Sequence, residues 1–156
     1  MKPKADWKSC LDTLTAKKVK LDENTIKSLI KTSKNKFDSE NQLEMSDVTA
    51  ASKLSLAYDS LRELLEALAI KKGYKIYNHE CYTAFLKEIL NESDRGDEFD
   101  DIRKIRNAVN YYGKDITTEE AAKAIERIKK LRSFINNMLQ NVSINDEGGD
   151  IREFKR

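Results

Sequence analysis

Chemistry in this chain could turn on Arg106, which stands in an apolar stripe four residues after Ile102 and three before Val109. That spacing defines one helix face. A guanidinium keeps its charge in any protein environment, so one directed toward an interior requires a carboxylate, a cavity or an anionic ligand. Asn110 lies one turn further on, about 40° around the axis, and so projects on the same side. Asn107 is adjacent, and Tyr111 and Tyr112 close the segment before Gly113. Arg106, Asn107, Asn110, Tyr111 and Tyr112 therefore bring a cation, amides and ring faces to one helix end, a set that can offset phosphate charge and stack on bases. The structural alternative is an arginine paired with a carboxylate of another helix, with the aromatic rings as ordinary core at the end of a bundle.

The other reactive side chains are few. His79 is the sole histidine and follows Asn78, a candidate helix cap. Tyrosine has a reference pKa near 10 and is a poor base at neutral pH, whereas imidazole can take or give a proton there. Cys10 and Cys81 have neither CxxC spacing nor a neighbouring histidine, so no metal site is expected. Both lie on apolar stripes, and the reading is reduced thiols that fill core space.

Helices must position these groups. Trp7, Cys10, Leu11 and Leu14 suggest a short helix over residues 4–16, and a lysine-rich link follows from Lys17 to Lys20. Asp22 can cap a long helix with Ile26, Leu29, Ile30, Ser33 and Phe37 on one face, ending near Leu43. Ser46 can cap the next, whose stripe of Ala50, Ala51, Leu54, Ala57, Tyr58, Leu61, Leu65 and Leu68 runs to a stop at Gly73. A loop with Tyr74, Ile76 and Tyr77 leads to Asn78 and a helix burying Cys81, Tyr82, Phe85, Leu86, Ile89 and Leu90. Residues 91–96 read as a turn. The Arg106 helix is then expected from about Asp97 to Tyr112, with Ile102, Ile105, Val109 and Tyr112 as its buried stripe. Thr117, Thr118, Glu119 and Glu120 form a capping box for the last helix, which buries Ala121, Ala124, Ile125, Ile128, Leu131, Ile135, Met138 and Leu139. Short links force antiparallel neighbours, so the expected fold is all-α, an antiparallel up-and-down helical bundle of four to five helices. Its parts are a basic segment over 1–21, the bundle over 22–141 and a disordered tail over 142–156.

Composition narrows the function classes. One proline and five glycines in 156 residues leave too few turn residues for a sandwich or barrel. No stretch approaches the roughly 18 apolar residues of a membrane span, and the lysine-rich start lacks the apolar run of a signal peptide, so no membrane partner and a cytoplasmic location are expected. The net charge of +2 implies no nucleic-acid partner by itself. It is distributed in blocks, however: residues 1–36 carry ten lysines against four acids, and residues 102–140 nine basic side chains against four acids. Solvated helix faces account for such blocks as readily as an RNA groove.

The run Asp101-Ile102-Arg103-Lys104-Ile105-Arg106-Asn107-Ala108-Val109-Asn110-Tyr111-Tyr112-Gly113 resembles the signature of the HEPN superfamily. Ala57-Tyr58-Asp59-Ser60-Leu61-Arg62-Glu63 with Gly73-Tyr74-Lys75 is similar to the family's second long helix and its exit, and the likeness covers about residues 22–140. It implies a helical bundle, a homodimer, nucleotide or RNA binding, and pairing with a nucleotidyltransferase-type protein as toxin and antitoxin. Ribonuclease members place a histidine four to six positions beyond the arginine and its polar neighbour. Tyr111, Tyr112 and Gly113 occupy those positions here. The resemblance thus implies a non-catalytic or weakly active binding module without catalytic residues, cofactor or metal. Two alternatives belong to other classes: a metal-independent ribonuclease toxin using Arg106 with Tyr111 or His79 in place of the usual histidine, and a purely structural bundle.

Overall fold

A stretch too apolar to leave any side in water becomes the centre of the molecule. The computed structural model describes residues 5–148, and within them the order is α1 (Trp7–Asp12), β1 (Ala16–Lys18), α2 (Glu23–Gln42), α3 (Ala50–Lys71), β2 (Tyr74–Ile76), α4 (His79–Ala84), α5 (Ser93–Tyr112) and α6 (Thr118–Gly148). In α3, fourteen of 22 residues are buried, against three of 20 in α2, so the other long helices wrap around it. Contacts fix their directions. Lys53 meets Glu40, Ser60 meets Ser33 and Lys71 meets Glu23, so α2 and α3 run oppositely. Asn110 meets Ser55 and Arg106 faces Asp59, setting α5 against α3. Arg95 stacks on Phe134 and Arg127 grips Glu98, setting α6 against α5.

Caps sit where side-chain chemistry places them. Asp22 accepts from the Thr25 amide and Asn78 from the Glu80 amide. Thr117 and Glu120 exchange hydrogen bonds at 3.0 Å each, closing the capping box. Ser46 accepts amide hydrogens from Val48 and Thr49, but it heads a turn, and α3 starts four residues later at Ala50.

Several expectations are corrected. The lysine-rich link and the Tyr74 loop pair as a two-stranded antiparallel sheet with Lys17 opposite Lys75, so the helical bundle carries a small β ribbon. Short strands gain order from a partner distant in sequence, which local periodicity does not register. Among the described residues there are six helices rather than four or five: the short α1 and α4, both expected as helices, stand beside four long ones, and α4 widens into a π-helical turn over Phe85–Ile89. Leu14, expected to pack, is 72% exposed because the chain leaves α1 at Asp12. The helix carrying Arg106 begins at Ser93, not Asp97, and takes in the expected turn. Gly96 makes this possible: a Cβ there would meet the Lys87 side chain at 2.5 Å and the Thr83 carbonyl at 3.2 Å, so only glycine lets α5 lie this close to the preceding helix. Helix α6 continues to Gly148, past the expected end at 141, and the remainder of the tail, 149–156, lies outside the described residues.

The largest correction concerns the thiols. Cys10 and Cys81 are joined in a disulfide with Cα atoms 6.1 Å apart, within the usual range for a bridge. It ties α1 to α4, and each cysteine is 1% exposed. Two isolated cysteines 71 residues apart carry no local sign of pairing. Among the described residues no helix is long and apolar enough to cross a membrane.

Candidate functional site

Arg106 lies on α5 facing the middle of α3, with its side chain 12% exposed. Its guanidinium carbon sits 4.9 Å from the centre of the Tyr58 ring and 5.3 Å from that of Tyr111. Nη1 donates to the Tyr111 hydroxyl at 3.0 Å and to Asn107 Oδ1 at 3.3 Å. The nearest carboxylate, Asp59, is 3.8 Å from Nη2, and Nε is buried without a hydrogen-bond partner. This cation is held by π faces and neutral oxygens, and only loosely by a counter-charge.

The sequence brought together Arg106, Asn107, Asn110, Tyr111 and Tyr112, and the structure gathers most of them. Asn107 and Tyr111 bond Arg106 directly. Asn110 Oδ1 accepts from Ser55 on α3, which fastens the two helices beside the site. Tyr112 does not join them. Expected in the buried stripe, it is 82% exposed, since the stripe opens toward its end: Ile102 is buried, Ile105 and Val109 are half-buried, and Tyr111 and Tyr112 stand out into solvent. The chain then leaves through Gly113 with φ +65°, a left-handed cap that glycine adopts without cost.

His79, separated from Arg106 by 27 positions in sequence, belongs to this site. Its Nδ1 is 3.1 Å from the hydroxyl of Tyr58, the ring on which Arg106 rests. Burial, followed by the positive charges of Arg62 and Arg106, pushes the imidazole down to about 4, so it is neutral at physiological pH. Burial also raises the Tyr58 phenol well above its ordinary range, which keeps it protonated. The contact suits either tautomer. With Tyr58 donating to Nδ1, Nε2 carries the proton as a donor; with Nδ1 protonated and donating to Tyr58, Nε2 is a free acceptor.

Two further arginines flank the group and are occupied. Arg62 pairs with Glu66 at 3.0 Å, and Arg103 with Asp100 at 2.8 Å. Although burial works against it, hydrogen bonding from and the charges of Arg103 and Lys104 hold the Asp100 carboxyl down to about 2. Arg106 is thus the guanidinium here with the most unused capacity. The sequence pairs His79 with Arg106 only as one alternative for the missing histidine, and it does not single out Tyr58 or Asp59. Their meeting follows from α3 and α4 packing on α5, which no local pattern encodes. No group of His, Cys, Asp and Glu among the described residues is arranged to hold a metal ion.

The depressed imidazole has a consequence for stability. An unfolded chain protonates its histidine near pH 6.5, whereas folded His79 resists protonation down to about 4. Stability is therefore insensitive to this group above pH 6.5 and falls as pH drops from 6.5 to 4. After discounting for partial exposure, the fall is about 1–2 kcal/mol. Urea midpoints measured across that window for the wild type and His79→Gln check it: the decline should flatten in the variant, and equal slopes would refute the assignment.

Comparison with family models, curated proteins and solved structures finds no match for this chain.

Proposed function

We propose that this chain is a HEPN-like module that binds a phosphate-bearing ligand, a nucleotide or RNA, at the Arg106 face, and that it works as a homodimer. In this reading it pairs with a nucleotidyltransferase-type partner, in the manner of a toxin and its antitoxin. One observation carries it: Arg106 is nearly buried, lacks a close carboxylate and leaves Nε without a partner. A buried charge so weakly compensated is costly unless a ligand completes its surroundings. Phosphate oxygens would do so, with Tyr111 available to stack on a base.

A second reading is favoured by the placement of His79. A neutral imidazole one ring away from Arg106 could take the ribose proton while the guanidinium offsets phosphate charge, and its pull down to about 4 makes it a weak base for that step. Tyr111 is the weaker substitute, because its hydroxyl already accepts from Arg106 and it sits at a helix C-terminus, whose dipole disfavours phenolate.

One experiment addresses both. Arg106→Ala should weaken binding of uridine monophosphate and of single-stranded RNA by about 10- to 100-fold, the worth of a charge-assisted contact. The unfolding midpoint should move little, because Asp59, at 31% exposure, is not stranded in the interior. Light scattering on the same samples should give about twice the 18.0 kDa chain mass. Equal affinity in wild type and variant would sink the binding reading. RNA cleavage abolished by both Arg106→Ala and His79→Ala would establish the catalytic one.

A further inference from the structure

The basic N-terminal segment is left unexplained by the Arg106 site, and the structure gives it a defined surface. Pairing of β1 with β2 extends at both ends, with Val19 donating to the Gly73 carbonyl and Tyr77 to that of Thr15. Alternation along a strand then sorts the side chains. Ala16 and Ile76 face the core and are buried, whereas Lys17, Lys75 and Tyr77 share the outer face. Both ammonium groups lie over the Tyr77 ring, at 5.7 and 6.0 Å, and that residue is 54% exposed. By the same alternation Lys18 and Lys20 fall on the other face, with Ala16; with Lys72 they are exposed at the end of the ribbon next to Gly73.

Like charges directly opposite one another weaken a strand pair. Lys75 is compensated by Glu66 at 2.7 Å. Lys17, Lys18, Lys20 and Lys72 have no carboxylate partner among the described residues. The ribbon is thus a cationic strip with an accessible aromatic ring at its end, and beyond Tyr77 the chain reaches His79, the first residue of α4, two residues later, at most about 7 Å away.

We infer that a single-stranded nucleic acid extends from the Arg106 site along the outer face of the β ribbon and around its end, with a base stacked on Tyr77, a phosphate on Lys17 and further phosphates at the Gly73 end on Lys18, Lys20 and Lys72. This rests on the nucleotide reading above and specifies its ligand as a strand of several nucleotides. Cations track the backbone while an aromatic ring takes a base of any sequence. An anionic membrane is a poorer fit, since Tyr77 lies against two ammonium groups and the apolar side chain that alternation places on the outer face, Val19, is half-buried.

The test compares uridine monophosphate with an oligouridylate of about ten nucleotides. The wild type should bind the oligomer at least tenfold more tightly than the monomer, with a strong salt dependence. In Lys17→Gln/Lys18→Gln/Lys72→Gln, the oligomer should lose about tenfold in affinity and its logarithmic salt slope should fall by about two, while monomer binding stays unchanged. Tyr77→Ala should cost the oligomer about fivefold or more. All four are surface positions, and circular dichroism verifies the fold. An oligomer bound no better than the monomer, or unaffected by the lysine variant, overturns the inference while leaving the Arg106 reading intact. Oligomer binding that needs the lysines but ignores Arg106→Ala overturns the continuous path. Lysine-dependent binding to phosphatidylserine vesicles without RNA binding would reassign the strip to membranes.

Discussion

Reducing the Cys10–Cys81 disulfide is expected to lower the free energy of unfolding by about 4 kcal/mol. The bridge closes a loop of 71 residues, and the chain-entropy treatment assigns a loop of that length about 4.4 kcal/mol at 25 °C. Net stabilities of single domains lie near 5–15 kcal/mol, so a loss of this size is a large fraction of the whole. For a chain of this length it corresponds to about 10–15 °C in Tm. The folded state keeps the other links between α1 and its neighbours: Trp7 packs edge-on against Tyr74 at 5.1 Å, and its amide donates to Glu88. The reduced protein should therefore still fold, with its urea midpoint displaced. Denaturation with and without dithiothreitol measures this, and Cys10→Ser/Cys81→Ser should reproduce the reduced curve. Coincident midpoints would show that the bridge adds nothing.

A comparable effect is expected from Lys53→Met. The Lys53 ammonium is 2.8 Å from a Glu40 carboxylate oxygen, and the two side chains are 7% and 3% exposed. It also donates to the Glu40 and Leu43 carbonyls, at 2.7 and 2.6 Å, where α2 ends. One cation thus neutralises a buried anion and adds a second hydrogen bond to the Glu40 carbonyl, which also accepts from the Leu43 amide at 3.2 Å, while reaching the Leu43 carbonyl beyond the helix end. Methionine fills similar volume and does neither. Glu40 would retain only Lys129, at 3.3 Å and 39% exposed. Stranding a buried charge in this way costs about 3–5 kcal/mol, read as a shifted urea midpoint at constant slope. Glu40→Gln/Lys53→Met should recover part of the loss, because no anion remains unpaired. A shift under about 1 kcal/mol in the single variant would mean that water reaches Glu40 in Lys53's place.

What could be read from the sequence divides along physical lines. Helices α2 and α6 follow from periodicity and caps and α3 from periodicity, because the forces that set them act between residues three and four apart. The face carrying Ala121, Ala124, Ile128, Leu131 and Ile135 is buried as the spacing requires. The β ribbon, the disulfide and the meeting of His79 with Arg106 each join positions far apart in the chain, and none leaves a local mark. Arg106, Asn107 and Tyr111 could be grouped because they share a helix end. Tyr58, which connects Arg106 to His79, reads from sequence only as one more residue of the α3 stripe. Tyr112 was misplaced because periodicity reports which face a residue occupies but not where along a helix its neighbours cease.

The enclosure of α3 also bears on how this chain can change over generations. On α2, with three buried positions of 20, most side chains are exposed and substitutions can accumulate with little effect. On α3, fourteen of 22 positions meet packed neighbours, and Leu54, Leu61, Leu64, Leu65 and Leu68 are wholly enclosed. Replacement there opens a cavity or forces a clash, so drift is slowest along this helix. A diverged descendant would keep the aliphatic run from Leu54 to Ile70 after its outer helices had ceased to look alike.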